Sequence, residues 1–380
     1  MSSPHQLLEI ARVFLKLGTV SFGGPAAHIA LMEDEFVVRR RWISRERFLD
    51  LVGATNLIPG PNSTEMAISL GFIRGGWGGW VVAGAAFILP AVSITAIFAW
   101  LYVLTGRLPT ASQWWRGISP AAIAVIALAV WRLARTAVKS YRQAVIGAAV
   151  TIGALAGASE IAVLFVGGTI GMLWLSRAVP KIAGRLTAIA LLLLPGGVLI
   201  AGAAATAGAA VPLRDIGAVF LKVGSVLYGG GYVLVAFLDG ALVRDRGWIT
   251  ERQLLDAIAV GQFTPGPVLS TATFIGYVLA GVPGAIVATV GIFVPSFCFV
   301  AALQAVLPWV RKGVWTAAFL DAVNVAAIGL MIAVTIRLSS GFTDWRQWLI
   351  AVAALAAGAA FTLHSAWLIV AGAVAGAWLF

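Results

Sequence analysis

The chain contains 380 residues, of which 61% are hydrophobic and 11% charged, and its mean hydropathy is +0.97. This composition excludes a soluble globular domain and predicts an integral membrane protein in a lipid bilayer. A formal net charge of +11 would suggest nucleic-acid binding in a soluble protein. Most Lys and Arg residues lie in short connections between apolar runs, however, where they act as topology signals. A nucleic-acid partner is therefore not predicted.

A repeated segment is the first recognisable element along the chain. The sequence FLKLGTVSFGG at 14–24 returns as FLKVGSVLYGG at 220–230, and seven of the eleven positions are identical. The offset between the copies is 206 residues as far as Pro61 and Pro267, and 205 residues from Gly71 and Gly276 onward. Such an internal duplication is typical of membrane transporters that are built from two related halves.

The duplication divides the chain into an N-terminal repeat (1–180), a connecting transmembrane helix (181–213) and a C-terminal repeat (214–380). Apolar runs such as 77–104 and 186–211 reach the roughly 20 residues that a helix needs to cross a bilayer. Strand-like alternation is absent, so the predicted fold is all-α. We expect about 13 transmembrane segments, about six in each repeat and one between them.

The basic residues predict that the two repeats have opposite orientations in the membrane. The connection at 39–47 carries five Arg residues, whereas the equivalent connection at 244–252 carries three, which Asp245 and Glu251 offset. Under the positive-inside rule, this bias places the N-terminus in the cytoplasm and the C-terminus outside. Two repeats with even numbers of crossings, separated by one extra span, then form inverted-topology repeats.

Each copy carries a lysine on its first apolar helix, Lys16 in the first and Lys222 in the second. Lys16 shares one helix face with Glu9 and Arg12. A lysine at membrane depth must face a polar cavity, where it would supply positive charge to an anion. The alternative is that this stripe is the solvated face of an interfacial amphipathic helix.

Adjacent glycines interrupt both helices, as SFGGP at 21–25 and LYGGG at 227–231. Unwound backbone inside a membrane is tolerated only where it is buried in protein or lines an aqueous cavity. Close helix packing through small residues is the alternative, but a packing motif spaces its glycines four apart. We therefore predict broken helices. The glycines assigned to the predicted substrate site are Gly23, Gly24, Gly229 and Gly230.

A Pro-Gly-Pro sequence follows in each copy, within IPGPNST at 58–64 and TPGP at 264–267. Proline opens a helix ahead of it, and Asn, Ser and Thr are favoured N-cap residues. Each repeat is thus predicted to present a helix N-terminus, whose amide groups and dipole favour an anion. A proline kink without a ligand is the alternative. The residues predicted to contact substrate here are Pro59, Gly60, Pro61, Asn62, Ser63, Thr64, Thr264, Pro265, Gly266 and Pro267.

Two ionisable residues occur only in the first copy, because Leu234 stands opposite His28 and Thr271 opposite Glu65. Glu65 is either a cap that satisfies the helix dipole or a proton-coupling site. His28 either titrates or forms a hydrogen bond between helices. Both residues are candidates for coupling. No metal site or cofactor is predicted, since the other histidines and the single cysteine have no neighbouring ligand set.

In combination, these motifs resemble those of the chromate ion transporter family. FLKLGTVSFGGPAAHIALME, Trp-Ile-Ser and PGPNSTEMAISLG are similar to its N-terminal domain signature, and the second copy is similar to its C-terminal domain. The resemblance implies the long, two-domain form of a prokaryotic inner-membrane protein that extrudes chromate. It also implies sulfate as the most similar oxyanion and the proton gradient as driving force. The family motifs map to 22–25, 59–61 and 265–267. YGGG in place of FGGP in the second copy argues against equal substrate binding by the two halves.

The sequence favours a secondary active transporter of a tetrahedral inorganic oxyanion, above all chromate efflux driven by the proton gradient. A sulfate or other anion permease and an anion channel remain alternatives, because the residues do not separate them. H-E-x-x-H, G-x-S-x-G and P-loop sequences are absent, so neither an intramembrane enzyme nor direct use of ATP is favoured. A homodimer is expected only by analogy.

Overall fold

The computed structural model describes residues 3–22, 24–105, 111–175, 211–228, 231–310, 314–361 and 363–380. Every regular element in these ranges is helical, which confirms the all-α prediction for them. Gly23, Gly229 and Gly230 of the predicted site lie outside the described residues. So does the predicted connecting helix at 181–213, apart from its last three residues.

Fourteen α-helices in the described residues form two series of seven in the same order. The first series is α1 (Pro4–Val20), α2 (Pro25–Glu33), α3 (Arg45–Thr55), α4 (Asn62–Thr105), α5 (Ala111–Ala137), α6 (Tyr141–Leu155) and α7 (Glu160–Leu175). The second is α8 (Leu213–Val226), α9 (Leu234–Leu238), α10 (Glu251–Phe263), α11 (Thr271–Val310), α12 (Val314–Ser340), α13 (Trp345–Ala360) and α14 (Ser365–Leu379). π-helical turns, Asp34–Arg39 and Asp239–Arg244, extend α2 and α9. Each helix of the first series thus corresponds to the helix seven places later.

The longest helix of each series, α4 or α11, folds back on itself. The backbone leaves helical geometry at Gly75–Gly76 in α4 and at Ala280–Gly281 in α11, where the second residue of each pair has φ of 52° and 61°. A Cβ atom on Gly71 would meet the backbone of Gly79, so the arms on either side of the bend lie against each other. Glycine permits both the reversed φ and this close approach.

The first half forms two helical hairpins, and both hairpins start and finish at the same end of the molecule. Glu9, near the start of α1, pairs with Arg40, after the π-helical turn that extends α2, at 3.0 Å. It also pairs with Arg74, at the end of the short arm of α4, at 3.2 Å. The outer ends of the α1–α2 hairpin and of the α3–α4 hairpin therefore lie together, and their breaks lie inside the molecule. We call this end of the molecule the first end.

The hairpins of the second half open at the opposite end. The long arm of α4 and then α5 and α6 run back and forth, so α6 ends and α7 begins opposite the first end. There Arg337 of α12 donates to the carbonyl of Ala154 at 2.8 Å and to the carboxylate of Asp239 at 2.9 Å. Arg244 pairs with Glu160 at the start of α7. We call this the second end.

The helices form two bodies. Helices α1–α4 and α8–α11 make a hairpin bundle, in which α4 and α11 contact each other. Helices α5–α7 and α12–α14 make a frame, in which α5 packs against α13 and α14, and α12 against α6 and α7. Each repeat therefore contributes its first frame helix to the other repeat. The first-half hairpins have a hydrophobic core of their own around Phe14, Phe36 and Phe48, whereas the core of the second-half hairpins is continuous with that of the frame.

Four helices in the described residues are long and apolar enough to cross a membrane. They are Asn62–Thr105, Gln113–Ala137, Val268–Leu303 and Ala318–Ser340. Shorter apolar helices lie at Glu160–Leu175 and Ser365–Leu379. The predicted total of about 13 segments is not confirmed, because the described hairpins of the bundle return to the end from which they start.

Candidate functional site

The breaks of the two halves meet at the centre of the hairpin bundle. The N–H of Gly60 donates to the carbonyl of Leu227 at 2.7 Å, and the N–H of Gly266 donates to the carbonyl of Ser21 at 2.8 Å. The two bonds are equivalent under the 206-residue offset. Both glycines have positive φ values, 137° and 90°, which a side chain would strain. Each Pro-Gly-Pro loop thus holds the unwound backbone of the other half.

A cavity of about 740 Å³ leads from the first end to this centre. Helices α2 and α3 form one wall, and α5, α12 and the start of α14 form the other. Gly60 and Asn62 of the predicted site lie at its inner end. The polar side chains of its lining are Thr55, Asn56, Asn62, Arg132, Thr136, Lys139, Tyr228, Tyr232, Asp321, Asn324, His364 and Ser365. The cavity therefore separates the first-half hairpins from the frame.

Positive charge reaches the cavity from the end of α5. Arg132 in the last turns of this helix and Lys139, just after its last residue Ala137, both line the cavity. The guanidinium of Arg132 donates to the carbonyl of Gly358 at 3.3 Å, which anchors it at the wall. Within the described ranges, neither cation forms an ion pair with a carboxylate. Cations with uncommitted N–H groups, together with tyrosine hydroxyls and asparagine amides, suit a small anion.

The first-half loop presents the start of α4 to the cavity. The carbonyl of Pro61 accepts hydrogen bonds from the N–H groups of Thr64 and Glu65, at 2.8 and 3.1 Å, so Pro61 caps the helix. The side-chain amide of Asn62 donates to Asn56, which orients it at the cavity wall. The N–H groups of Asn62 and Ser63 come before the first intrahelical hydrogen bond and have no acceptor within the helix. The other predicted residues of this loop are buried and do not line the cavity: Pro59, Pro61, Ser63 and Thr64.

The equivalent loop of the second half is closed. The hydroxyl of Thr264 donates to the carbonyl of Val260 at 3.1 Å. Thr95 of α4 reaches the hydroxyl of Thr264 at 3.4 Å and that of Ser270 at 3.1 Å. These bonds join the loop to the first half of the bundle. The second-half residues predicted to bind substrate do not line the cavity and are buried: Thr264, Pro265, Gly266 and Pro267.

A buried carboxylate closes the second end further. Asp256 of α10 accepts hydrogen bonds from Tyr102 of α4 at 3.0 Å and from Ser119 of α5 at 3.3 Å. The counterpart of Ser119 is Asn324, which lines the cavity. Helix α10 packs against α5, whereas the cavity lies between the corresponding helices α3 and α12. The same elements are thus joined at the second end and apart at the first.

The structure does not bring Lys16 or Lys222 to the cavity. Both side chains are exposed on the outer faces of α1 and α8. The opposite, apolar face of α1, with Ile10, Phe14 and Leu17, is buried. Burial of that face turns the polar stripe outward. The cavity cations are instead Arg132 and Lys139.

The two coupling candidates lie beside the centre of the bundle. Glu65 is fully buried, and neither oxygen of its carboxyl group has a hydrogen-bond partner among the described residues. Gly60 lies directly against this carboxyl group and the hydroxyl of Ser296 from the second half. Nε2 of His28 lies 3.1 Å from the carbonyl of Ser21. The hydrogen bond between helices that was the alternative for His28 is therefore present.

Several lining residues were not singled out from the sequence as site residues. In the sequence, Arg132 and Lys139 have the pattern of topology signals. Tyr228 stands out only as part of the YGGG sequence, and no motif points to Tyr232 or Asn324. The available signal was positional, since Tyr228 lies inside the second break and Arg132 recurs in the second copy as an arginine.

Repeated halves whose broken helices meet at the centre, beside a cationic cavity, are features of a multi-pass membrane transporter. The chain belongs to the chromate transporter family, whose model matches residues 8–172 and 214–377. This confirms the resemblance seen in the motifs.

Two relatives are similar over most of their length. The chain is 32% identical over 376 residues to the chromate transport protein of Cupriavidus metallidurans, which covers 97% of this chain and 92% of that protein. It is 33% identical over 346 residues to the chromate transport protein of Pseudomonas aeruginosa, covering 88% and 82%. No solved structure matches the chain.

Proposed function

We propose that this protein exports chromate across the cytoplasmic membrane by alternating access, driven by the proton gradient. The observation that carries the proposal is the cavity that runs from Arg132 and Lys139 to the meeting point of the two broken helices. Secondary transporters bind substrate where discontinuous helices of their two repeats meet. The names of the similar proteins supply chromate as the anion.

The orientation of the two halves supports export. Hairpins that open at opposite ends fit inverted-topology repeats. The first end carries the arginine-rich connection 39–47, so the positive-inside rule assigns it, the N-terminus and the cavity mouth to the cytoplasm, and the C-terminus to the outside. An anion would then enter this arrangement from the cytoplasm.

The anion site combines predicted residues with residues of the cavity wall. Chromate is a tetrahedral dianion, and Arg132 and Lys139 offer it charge-assisted hydrogen bonds. The start of α4 at Asn62 and the hydroxyl of Tyr228 complete a donor set at the inner end. In this proposal, Gly24, Pro59, Pro61, Ser63 and Thr64 shape the first loop, and Thr264, Pro265, Gly266 and Pro267 hold it in place.

Glu65 is the coupling residue in this proposal. A buried carboxyl group without a hydrogen-bond partner in the described ranges is costly to leave charged, which suits a site that binds and releases a proton. Gly60 lies against both Glu65 and Ser296 of the second half. Glu65 is therefore close to the contact between the halves, where a rearrangement of the halves would change the surroundings of its carboxyl group. His28 supports the same centre through its bond to Ser21.

Flux measurements in inside-out vesicles test the proposal. We expect chromate accumulation that a protonophore abolishes, with weaker accumulation of sulfate. Sulfate transported in preference to chromate would favour a sulfate permease, and flux without dependence on a gradient would favour an anion channel. Absence of chromate flux in the wild type would refute the proposal. A homodimer remains a prediction, which the mass of the purified protein would test.

A further inference from the structure

Two arginines occupy equivalent places in the frame. Arg132 of α5 and Arg337 of α12 are related by the 205-residue offset. Arg132 donates to the carbonyl of Gly358 at 3.3 Å, and Arg337 to that of Ala154 at 2.8 Å. These two carbonyls also correspond, at an offset of 204 residues in α6 and α13. The two ends of the frame therefore hold their arginines alike.

The carboxylates beside the two arginines are arranged differently. Arg337 pairs with Asp239 at 2.9 Å, and the side chain of Asp239 is only 1% exposed. The counterpart of Asp239 is Glu33, which is partly buried and pairs instead with the exposed Arg45 at 3.1 Å. An ion pair with an exposed partner contributes little and is readily given up. Arg132 meanwhile faces the open cavity.

Glu33 lies on the face of α2 that borders the cavity. Pro25 and Ile29 of this helix line the cavity, and Glu33 follows Ile29 by four residues, one helical turn further toward the first end. At the second end, the corresponding helices α9 and α12 pack against each other, whereas the cavity separates α2 from α5 at the first end. Movement of α2 toward α5 would give the first end the contacts that the second end already has.

We propose that Glu33 is the closing partner of Arg132, so that this arginine exchanges the transported anion for the carboxylate of Glu33 when the cavity closes. In the same step Arg337 and Asp239 separate and the second end opens. The inference rests on the proposed function, and it makes Glu33 a residue of the transport cycle that does not touch the anion. Arg132 cannot bind the anion and the carboxylate of Glu33 at the same time. The ion pair between Arg132 and Glu33 therefore forms only after the anion has moved to the centre.

Thiol cross-linking tests whether α2 closes on α5. In a Cys298→Ser background that keeps Glu33 and Arg132, Ile29→Cys of α2 is combined with Leu133→Cys of α5. The matched control combines their counterparts, Val235→Cys and Leu338→Cys. A short bifunctional thiol reagent should join the control pair in resting vesicles, and its yield at the Ile29 and Leu133 positions should rise when chromate is supplied. Reaction of the control pair with no reaction of the test pair under any condition would overturn the proposal.

Transport and binding separate the role of Glu33 from that of the anion site. We expect Glu33→Gln to lower chromate flux about tenfold while chromate binding to the purified protein changes by less than about twofold. Glu46→Gln, an exposed change on α3, is the control. Unchanged flux in Glu33→Gln, or an equal loss of binding, would contradict the proposal. If the wild type binds and moves no chromate, the proposed function fails, whereas a cross-link that forms between the Ile29 and Leu133 positions without chromate still supports the closing contact.

Discussion

The hairpins of the first half and those of the second half derive from one repeated sequence, yet they contact the frame differently. The first-half hairpins have a separate core and face the frame across the cavity. The second-half hairpins share one continuous core with the frame. Among the described residues, eight of the eleven buried polar side-chain atoms without a hydrogen-bond partner belong to the first half. Such atoms are costly unless a ligand or solvent satisfies them.

This difference indicates that the two halves are one structural unit in two arrangements. Their central bonds, Gly60 to Leu227 and Gly266 to Ser21, are equivalent, so the difference does not arise at the centre. It arises at the two ends, where Asp256 is joined to the frame and the corresponding helices of the first half are not. A molecule of this kind can exchange its open and closed ends by repeating at one end the contacts of the other.

The largest expected effect is a difference in chromate flux between a substitution of Arg132 in the cavity and a substitution of Lys16 in the repeated motif. Replacing Arg132 by Gln removes a charge that faces the anion, and we expect chromate flux to fall about 100-fold or more. Lys16→Gln should change flux by less than about twofold, because its side chain lies on the outer face of α1. Flux assays on the two variants check this, and a larger loss in Lys16→Gln would move the anion site to α1.

The Pro-Gly-Pro glycines test whether the two halves are equivalent at the centre. A methyl group on Gly60 would meet the carboxyl group of Glu65 and the hydroxyl of Ser296. We expect Gly60→Ala to lower the free energy of unfolding by about 3 kcal/mol or more. Gly266→Ala, whose methyl group would meet Ala91, should cost about 1–2 kcal/mol. Thermal unfolding in detergent measures both, and unaltered stability in both variants would argue against the exchanged loops.

A substitution of Glu65 tests whether proton coupling depends on the carboxyl group that only the first half carries. Glu65→Gln keeps the shape of the side chain but cannot release a proton. We expect it to lower the protonophore-sensitive accumulation of chromate about tenfold, while chromate still equilibrates down its own gradient. Thr271→Val, at the equivalent position of the second half, is the matched control and should retain coupling. Full proton dependence in Glu65→Gln would move the coupling site elsewhere.

The smallest expected effect concerns the closed second end. Tyr102→Phe removes the hydroxyl that donates to Asp256 at 3.0 Å, a loss of about 1 kcal/mol. This shifts the balance between the two arrangements about fivefold toward an open second end. The rate at which a thiol reagent modifies a cysteine placed at Ser119 would report the shift. A rate equal to that of the parent variant would remove Tyr102 from the closure.

The sequence predicted the elements that depend on local chemistry. Adjacent glycines and Pro-Gly-Pro break helices wherever they occur, so the breaks and the start of α4 at Asn62 were foreseeable. The hairpin geometry was not, because the return of the chain to the first end depends on ion pairs of Glu9 with Arg40 and Arg74. These pairs join residues far apart in the chain.

The charged residues of the site show a second limit of sequence reasoning. Spacing shows that Lys16 lies on a polar helix face, but it does not show whether that face is turned toward a cavity or away from it. The buried side chains Ile10 and Phe14 decide this in the structure. The role of Arg132 in the cavity was not predictable from the sequence for a related reason. A basic residue near the end of a membrane helix serves topology and anion binding equally well.

Accessibility at two equivalent positions tests most directly whether the halves exchange their arrangements. Asn56 lines the cavity, and its counterpart Gln262 is 7% exposed. In vesicles at rest, an impermeant thiol reagent on the cytoplasmic side should modify Asn56→Cys and leave Gln262→Cys unmodified from either side. During chromate transport, Gln262→Cys should become reactive from the opposite side while Asn56→Cys becomes protected. Two results would contradict an exchange of arrangements between the halves. One is thiol reactivity that does not change during transport, and the other is reactivity of both cysteines toward reagent on the same side of the membrane.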